Sequence, residues 1–378
     1  MSPFQHYDLR LVAPVFGSPL NGIIMELQYL RRWQLTGSTP PPTFFDLKSV
    51  FQFLENLRSA RVEGNQTTVQ EIVDARIAPT PQKTEGLREI ENMEDAMSFI
   101  EAAVETSGGM SRALILEVHR RVVQGLTREG DPTPGCFRNT NLTITGSNHT
   151  PPDFTQVDSY MDELIAFYNQ HHDAQYDLIK VALAHHRFAW IHPFRNGNGR
   201  SARLLTYATL IERGYDVRQG RILNPSAVIG SNRLEYYRRL GGADTGEEPG
   251  ILQWIEFFLS GLLVDMRRID RLLDYEYLSS RILRPAVSYC EERGLISTVD
   301  AAILKVAIGR PVFRSSDIKH IIQAPVARSR QINRLLDAGL VQQVEEGARR
   351  YRMRYMNSVL LRGVVFSLMN EGFIGVDE

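Results

Sequence analysis

The chain has 378 residues, enough for two or three domains, and its 43% hydrophobic and 23% charged content is ordinary for a folded, water-soluble protein, so global disorder is excluded. With 43 Lys and Arg against 44 Asp and Glu, the net charge is -1; no overall field holds the protein on nucleic acid or an anionic membrane, and any such role must be local. Two cysteines, Cys136 and Cys290, are too few for a disulfide scaffold or a thiolate zinc site and fit a reducing, cytoplasmic setting. The start, MSPFQHYDLRLVAPVF, has no basic region followed by an apolar run, and no later segment reaches about 18 apolar residues, so neither secretion nor membrane spanning is expected.

In chain order, an apolar period near 3.6 predicts helices over Leu20 to Leu35 and Phe45 to Val62, split by Gly37-Ser38-Thr39-Pro40-Pro41-Pro42, whose prolines cannot continue a helix. Further helices are expected over Glu85 to Glu105, Ser111 to Gly125, Gln156 to His171, Asp177 to Trp190 and Ser201 to Glu212. Between them, Phe137 to His149 alternates Leu142 and Ile144 with Thr143 and Thr145 around Gly146-Ser147-Asn148, a hairpin signal. Ile251 to Leu283 reads as one long helix, and Arg284-Pro285 marks a change of unit. Three parts follow: an N-terminal helical region over 1–84, a core over 85–283 and a C-terminal domain over 284–378.

The last part has its own rhythm. Helices are expected at Val299 to Ile308, Ser315 to Gln323 and Val326 to Ala338, and LVQQVEEGARRYRMRY reads as two short strands around Glu346-Gly347. This order resembles a winged helix-turn-helix module. From Pro311 to Met356, nine basic residues stand against four acidic ones, with Arg328, Arg330 and Arg334 on the third helix and Arg349, Arg350, Arg352 and Arg354 on the wing. That is the footprint of duplex DNA binding, while a protein-interaction or dimerisation unit, and with it a homodimer, is the alternative.

The densest chemistry lies in His192-Pro193-Phe194-Arg195-Asn196-Gly197-Asn198-Gly199-Arg200, with Arg203 three residues on. Pro193 disfavours helix at His192 and so places the imidazole at a chain reversal. Gly197 and Gly199 let backbone amides approach a ligand where a helix begins, which makes an anion site, and Arg200 and Arg203 share one helix face from which they would hold further phosphate oxygens. Taken singly, the histidine reads equally as a turn residue, the glycines as a turn and the arginines as a solvated face.

Together His192, Phe194, Gly197, Asn198, Gly199 and Arg200 resemble the Fic-domain signature HPFx(D/E)GNGRxxR. The resemblance extends over about Ser59 to Tyr237, through the AHHRF helix, the Phe137 to His149 hairpin and NRLEYYRRL. It implies a mainly α fold, a Fic helical bundle with a small β-hairpin flap, joined here to the C-terminal winged helix. It also implies transfer of AMP from ATP to a Ser, Thr or Tyr hydroxyl of a protein target, the chain itself included. His192 would be the general base, Gly197, Asn198 and Gly199 would cradle the phosphates, Arg200 would neutralise the leaving pyrophosphate, and Phe194 would anchor the loop. The 137–149 hairpin would align an extended segment of the target, and Tyr236 or Tyr237 would flank the adenine. The family's Asp or Glu that holds Mg²⁺ is Asn196 here, an uncharged ligand expected to weaken the metal.

Upstream, Ser59-Ala60-Arg61-Val62-Glu63-Gly64-Asn65 reads by itself as a helix end with a glycine cap. It also resembles the family's inhibitory signature, in which Glu63 would meet Arg203 and keep it from the γ-phosphate. The resemblance thus implies an autoinhibited protein adenylyltransferase with an N-terminal inhibitory helix carrying Ser59 and Glu63. The alternatives are a Fic enzyme that removes AMP or transfers another phosphate group, and a DNA-binding regulator whose Fic domain is inactive.

Overall fold

The computed structural model describes residues 4–32, 37–78, 83–104, 109–215, 226, 228, 233–356 and 358–373. Its longer described helices are α1 (Pro19–Arg32), α2 (Pro41–Val62), α3 (Val69–Ile77), α4 (Glu85–Ala103), α5 (Arg112–Val123), α6 (Val157–Asn169), α7 (Asp177–Ile191), α8 (Asn198–Glu212), α9 (Arg233–Ala243) and α10 (Glu248–Asp270). After these come α11 (Arg284–Glu292), α12 (Thr298–Gly309), α13 (Pro325–Asp337), the strands β1 (Val341–Gln343) and β2 (Tyr351–Met353), and α14 (Leu360–Asn370).

By their internal contacts the residues form two compact units. One comprises Met1–Gln34, Gln52–Gln66 and Lys83–Met266, the other Leu35–Phe51, Thr67–Gln82 and Arg267–Glu378. Residues 284–378 all lie in the second, and residues 1–84 are divided between the two.

The first unit is organised around α7, whose sequence DLIKVALAHHRFAWI leaves no polar stripe for water, so the helix is buried nearly all round. It packs against α6 and α8, and α8 packs in turn against α4 and α5. The Trp254 indole donates to Ala182 O at 2.8 Å and ties α10 to the same helix. Basic residues within α7 are matched locally: Arg187 pairs with Glu163 at 2.6 Å under the Trp190 ring, and Lys180 donates to the carbonyls of Tyr168 and Gln170. Ser111 caps α5 by accepting from Leu114 N, as a serine before an apolar periodic run should.

In the second unit, α11 packs along α14, a C-terminal helix not anticipated from sequence, as α3 was not. The two strands expected around Glu346-Gly347 form an antiparallel pair, with Val341 opposite Met353 and Gln343 opposite Tyr351. Phe313 bridges to Tyr351 on that strand's other side.

Several expected elements differ. Helix α2 begins at Pro41, because proline is tolerated in a first turn whose amides are unpaired in any case. The Phe137 to His149 segment makes its turn, with Ser147 N on Ile144 O, but no ladder forms among these residues. Their polar groups bond elsewhere: Arg138 N to Pro193 O, and the Asn141 side chain to Asp153 and Phe154 N. The helix placed over Ile251 to Leu283 stops at Asp270, and Asp274 caps a new start by accepting from Glu276 N. Apolar spacing continues across the break, which hides it. Ser315 to Gln323 holds a single 3-10 turn over Ser315–Ile318, and the helix expected from Ser201 starts at Asn198. The expected ends at Leu35 and Glu105 lie outside the described residues.

Candidate active site

His192 closes α7. Its amide donates to Phe188 O at 3.0 Å, and it sits in the left-handed region at φ 49, the only non-glycine residue with positive φ among those described. The pyrrolidine of Pro193 explains why the helix cannot continue through it. Burial pushes the imidazole down to about 4, from an ordinary 6.5. His192 is therefore neutral at pH 7 and able to accept a proton.

The following loop is held from beneath by residues far away in the chain. Phe194 is fully buried, with its ring stacked on His119 at 3.6 Å between centroids. His119 accepts from Gly135 N at Nδ1, so its Nε2 carries the proton and donates to Asn196 O at 3.1 Å. One oxygen of Asp131 receives the amides of both Arg195 and Asn196, and the other receives Thr133 N. Arg138, buried, donates to the carbonyls of His192, Pro152 and Thr140. Asn198 closes the loop on itself, its side chain accepting from Phe194 N and donating to Phe194 O. The phosphate-cradling role expected of Asn198 can thus rest only on its main chain.

Gly197 lies at φ 75, and a Cβ there would meet Val123 at 2.8 Å. Helix α8 then begins, and its first intrahelical bond is Ser201 N to Gly197 O, which leaves the amides of Asn198, Gly199 and Arg200 ahead of the ladder. Such amides favour an anion. At this helix start Glu63 Oε1 lies against Gly199, 2.1 Å from where a Cβ would stand.

The same carboxylate meets Arg203. Glu63 Oε1 accepts from Arg203 Nη2 at 2.9 Å, while Ser59 takes the rest of the fork, Oγ from Nε at 2.6 Å and its carbonyl from Nη2 at 2.9 Å. Burial raises the Glu63 carboxyl, but Arg203, Arg200 and His192 outweigh it and hold Glu63 below its usual range. Glu63 therefore stays ionised at neutral pH.

Arg200 does not share a phosphate-facing site with Arg203. It is fully buried, with Nη1 on Glu89 Oε1 at 2.7 Å and Nη2 on the Glu129 carbonyl at 2.9 Å. Glu89, absent from the sequence reading, is 1% exposed. Removing one partner of a buried pair strands the other charge, so Glu89→Ala should cost about 3–5 kcal/mol, measured as a lowered denaturation midpoint at unchanged slope.

Asn196 does not fit a Mg²⁺ ligand in this arrangement. Its one side-chain oxygen accepts from Gly197 N at 2.7 Å and from Arg200 Nη2 at 3.4 Å, so it faces donors and a cation. Among the described residues no group of three His, Cys, Asp or Glu side chains is placed to hold a metal. Tyr236 is also differently engaged: it is buried, and its hydroxyl donates to His185 Nε2 at 2.9 Å while His185 Nδ1 bonds Thr206. Tyr237 is exposed, with Arg233 over its ring.

Residues 109–210 match the Fic/DOC family model. The protein adenylyltransferase Fic of Drosophila virilis is 30% identical over 202 residues, 52% of this chain and 39% of that protein. That of Drosophila melanogaster gives 30% over the same length, covering 38% of it, so the chain spans about two-fifths of these curated relatives. In three dimensions the chain resembles a Fic family protein from Desulfovibrio desulfuricans G20, with TM-score 0.57 and 19% identity over 92% of this chain and 98% of that one. Fic-1 of C. elegans gives TM-score 0.53 and 19% identity over 66% and 72%.

Proposed function

On the premise that this chain carries a Fic domain, we propose that it is a protein adenylyltransferase held inactive by its own Ser59–Gly64 segment. The observation that carries this reading is Glu63, which sits against Gly199 at the start of α8 and binds Arg203. A carboxylate in that place excludes phosphate by charge and by volume, and it removes the one motif arginine able to reach a γ-phosphate.

Once Glu63 is displaced, the chemistry follows from groups already in place. Neutral His192 takes the proton of a target Ser, Thr or Tyr hydroxyl as its oxygen attacks the α-phosphorus of ATP. The new O–P bond forms as the bond to pyrophosphate breaks. The amides opening α8 and the Arg203 guanidinium hold the phosphates, so positioning and charge supply most of the acceleration. The segment 137–149 is proposed to carry the target's backbone, with Arg195 Nη2 on Asn139 Oδ1 fixing its root beside the catalytic loop. No step is assigned to Asn196, Tyr236 or Tyr237. A cytoplasmic setting belongs to the same proposal. Among the described residues no helix is long and apolar enough to cross a membrane.

Intact mass after incubation with ATP tests the reading. An added AMP on the Glu63→Gly protein, missing when His192 is also replaced, supports it; no adduct on the protein or on any supplied target removes it.

One observation favours a further part for the second unit as a duplex-DNA module. Helix α13 exposes Ser329, Arg330, Asn333 and Arg334, groups suited to base edges and phosphates. Arg328 is not available for this, since it donates to the carbonyls of Ile322 and Gln323. Binding should weaken steeply with salt, and replacing Arg349 and Arg350 together by Ala should flatten the slope of log affinity against log salt. Absence of any mobility shift at low salt would leave the module as a protein-binding or dimerising unit.

A further inference from the structure

The inhibitory segment is fastened at a second point that its signature does not contain. Helix α2 ends with Asn65 N on Ala60 O at 3.2 Å and Gly64 N on Arg61 O at 3.0 Å, with Gly64 at φ 103. This pair of bonds is a Schellman closure, which fixes Asn65 rigidly relative to Glu63 two residues earlier. Asn65 Nδ2 then donates to Glu89 Oε2 at 2.6 Å and to Gly86 O at 3.0 Å. The other oxygen of that carboxylate, Glu89 Oε1, is the one that holds Arg200. One buried acid therefore joins the end of the inhibitory segment to the first arginine of the motif, as Glu63 joins it to the second.

We propose that the Asn65–Glu89 contact is a second latch, and that Glu89 is a positioning residue through which the segment's docking is coupled to Arg200. The proposal rests on the reading of Ser59–Gly64 as an inhibitor and deepens it. Because the Schellman turn makes Glu63 and Asn65 one body, weakening the Asn65 contact loosens the Glu63 contact too. A hydrogen bond to a charged, water-shielded acceptor is among the stronger ones, and its loss shifts a docking equilibrium by roughly tenfold.

The test compares labelling by ATP carrying the label on its α-phosphate for the full chain, Asn65→Ala, Asn65→Asp and Glu63→Gly, each with a thermal melt. Asn65→Ala should raise labelling by about tenfold over the unaltered chain. Asn65→Asp, which sets a carboxylate against Glu89, should raise it further. A residue that only supports the fold would lower activity as it lowered the melt, so a rise reads the latch alone. If Glu63→Gly raises labelling and neither Asn65 variant does, the second latch is wrong while the inhibitor stands. If Glu63→Gly also leaves labelling unchanged, the underlying reading fails with it.

Discussion

Replacing Glu63 by glycine should raise transfer of AMP by about 100-fold. Two restraints disappear together in that variant. The charge-assisted bond from Arg203 Nη2 to Glu63 Oε1, 2.9 Å long, is lost, and so is the carboxylate packed against Gly199 at the start of α8. A bond between charged groups contributes about 1.5–3 kcal/mol, and an anion at a helix start about 0.3–2 kcal/mol, so their combined removal corresponds to about two orders of magnitude. Ser59 still holds Arg203 through its hydroxyl and carbonyl, which is why the effect is finite. The Schellman turn tolerates the change, because position 63 lies one residue before its left-handed glycine. Initial rates at several ATP concentrations check it: the gain should fall chiefly on kcat/KM. A variant with the parent's rate and the parent's stability would reduce Ser59–Gly64 to a helix end.

The second large effect is at His192. In a Glu63→Gly background, His192→Ala should lower transfer by about 10²–10⁴-fold, the span over which a positioned general base acts. Nucleotide affinity should be nearly unchanged, since the α8 amides and Arg203 do not depend on the imidazole. The pH profile gives an independent reading. Burial lowers this histidine to about 4, so it is neutral above that value and protonated below it. The kcat/KM of the free enzyme should therefore be level from about pH 5 to 8 as far as His192 is concerned, and fall as pH drops through about 4. A limb at the ordinary imidazole value of 6.5, or equal rates with and without the imidazole, would assign the base elsewhere.

The helices of the core and the signature loop were legible because both write themselves in local spacing. Pro193 after His192 foretold the chain reversal, and Gly197 before Asn198 foretold a helix start, although the start came three residues sooner than expected. The groups that hold the loop were not legible. His119, Asp131, Arg138 and Glu89 lie between 54 and 111 residues away from their partners His192, Asn196 and Arg200. In sequence His119 and Glu89 sit among other charged residues of their helices, Asp131 and Arg138 lie in the connection after α5, and nothing in spacing distinguishes any of them from a solvated residue. Arg200 shows the opposite failure. Its spacing from Arg203 read as a shared phosphate face, yet a full charge on a core helix is stable only beside a buried acid, and Glu89 and Glu129 take it. The 137–149 segment failed as a ladder for a related reason: alternation predicts strand shape, but its backbone and side-chain donors had nearer acceptors on Pro193 and Asp153.

Glu63 stands between the assembled site and its nucleotide. The most direct test of this incubates the unaltered chain, Glu63→Gly and Glu63→Gly with His192→Ala in ATP labelled on the α-phosphate, with a soluble cell extract supplying targets. Protein-bound label is then compared across the three. Strong labelling of the chain or of extract proteins is expected with Glu63→Gly, a trace with the unaltered chain and none above background with the double variant. Equal label in all three, or no label with Glu63→Gly while its fold and its binding of ATP are intact, would contradict it.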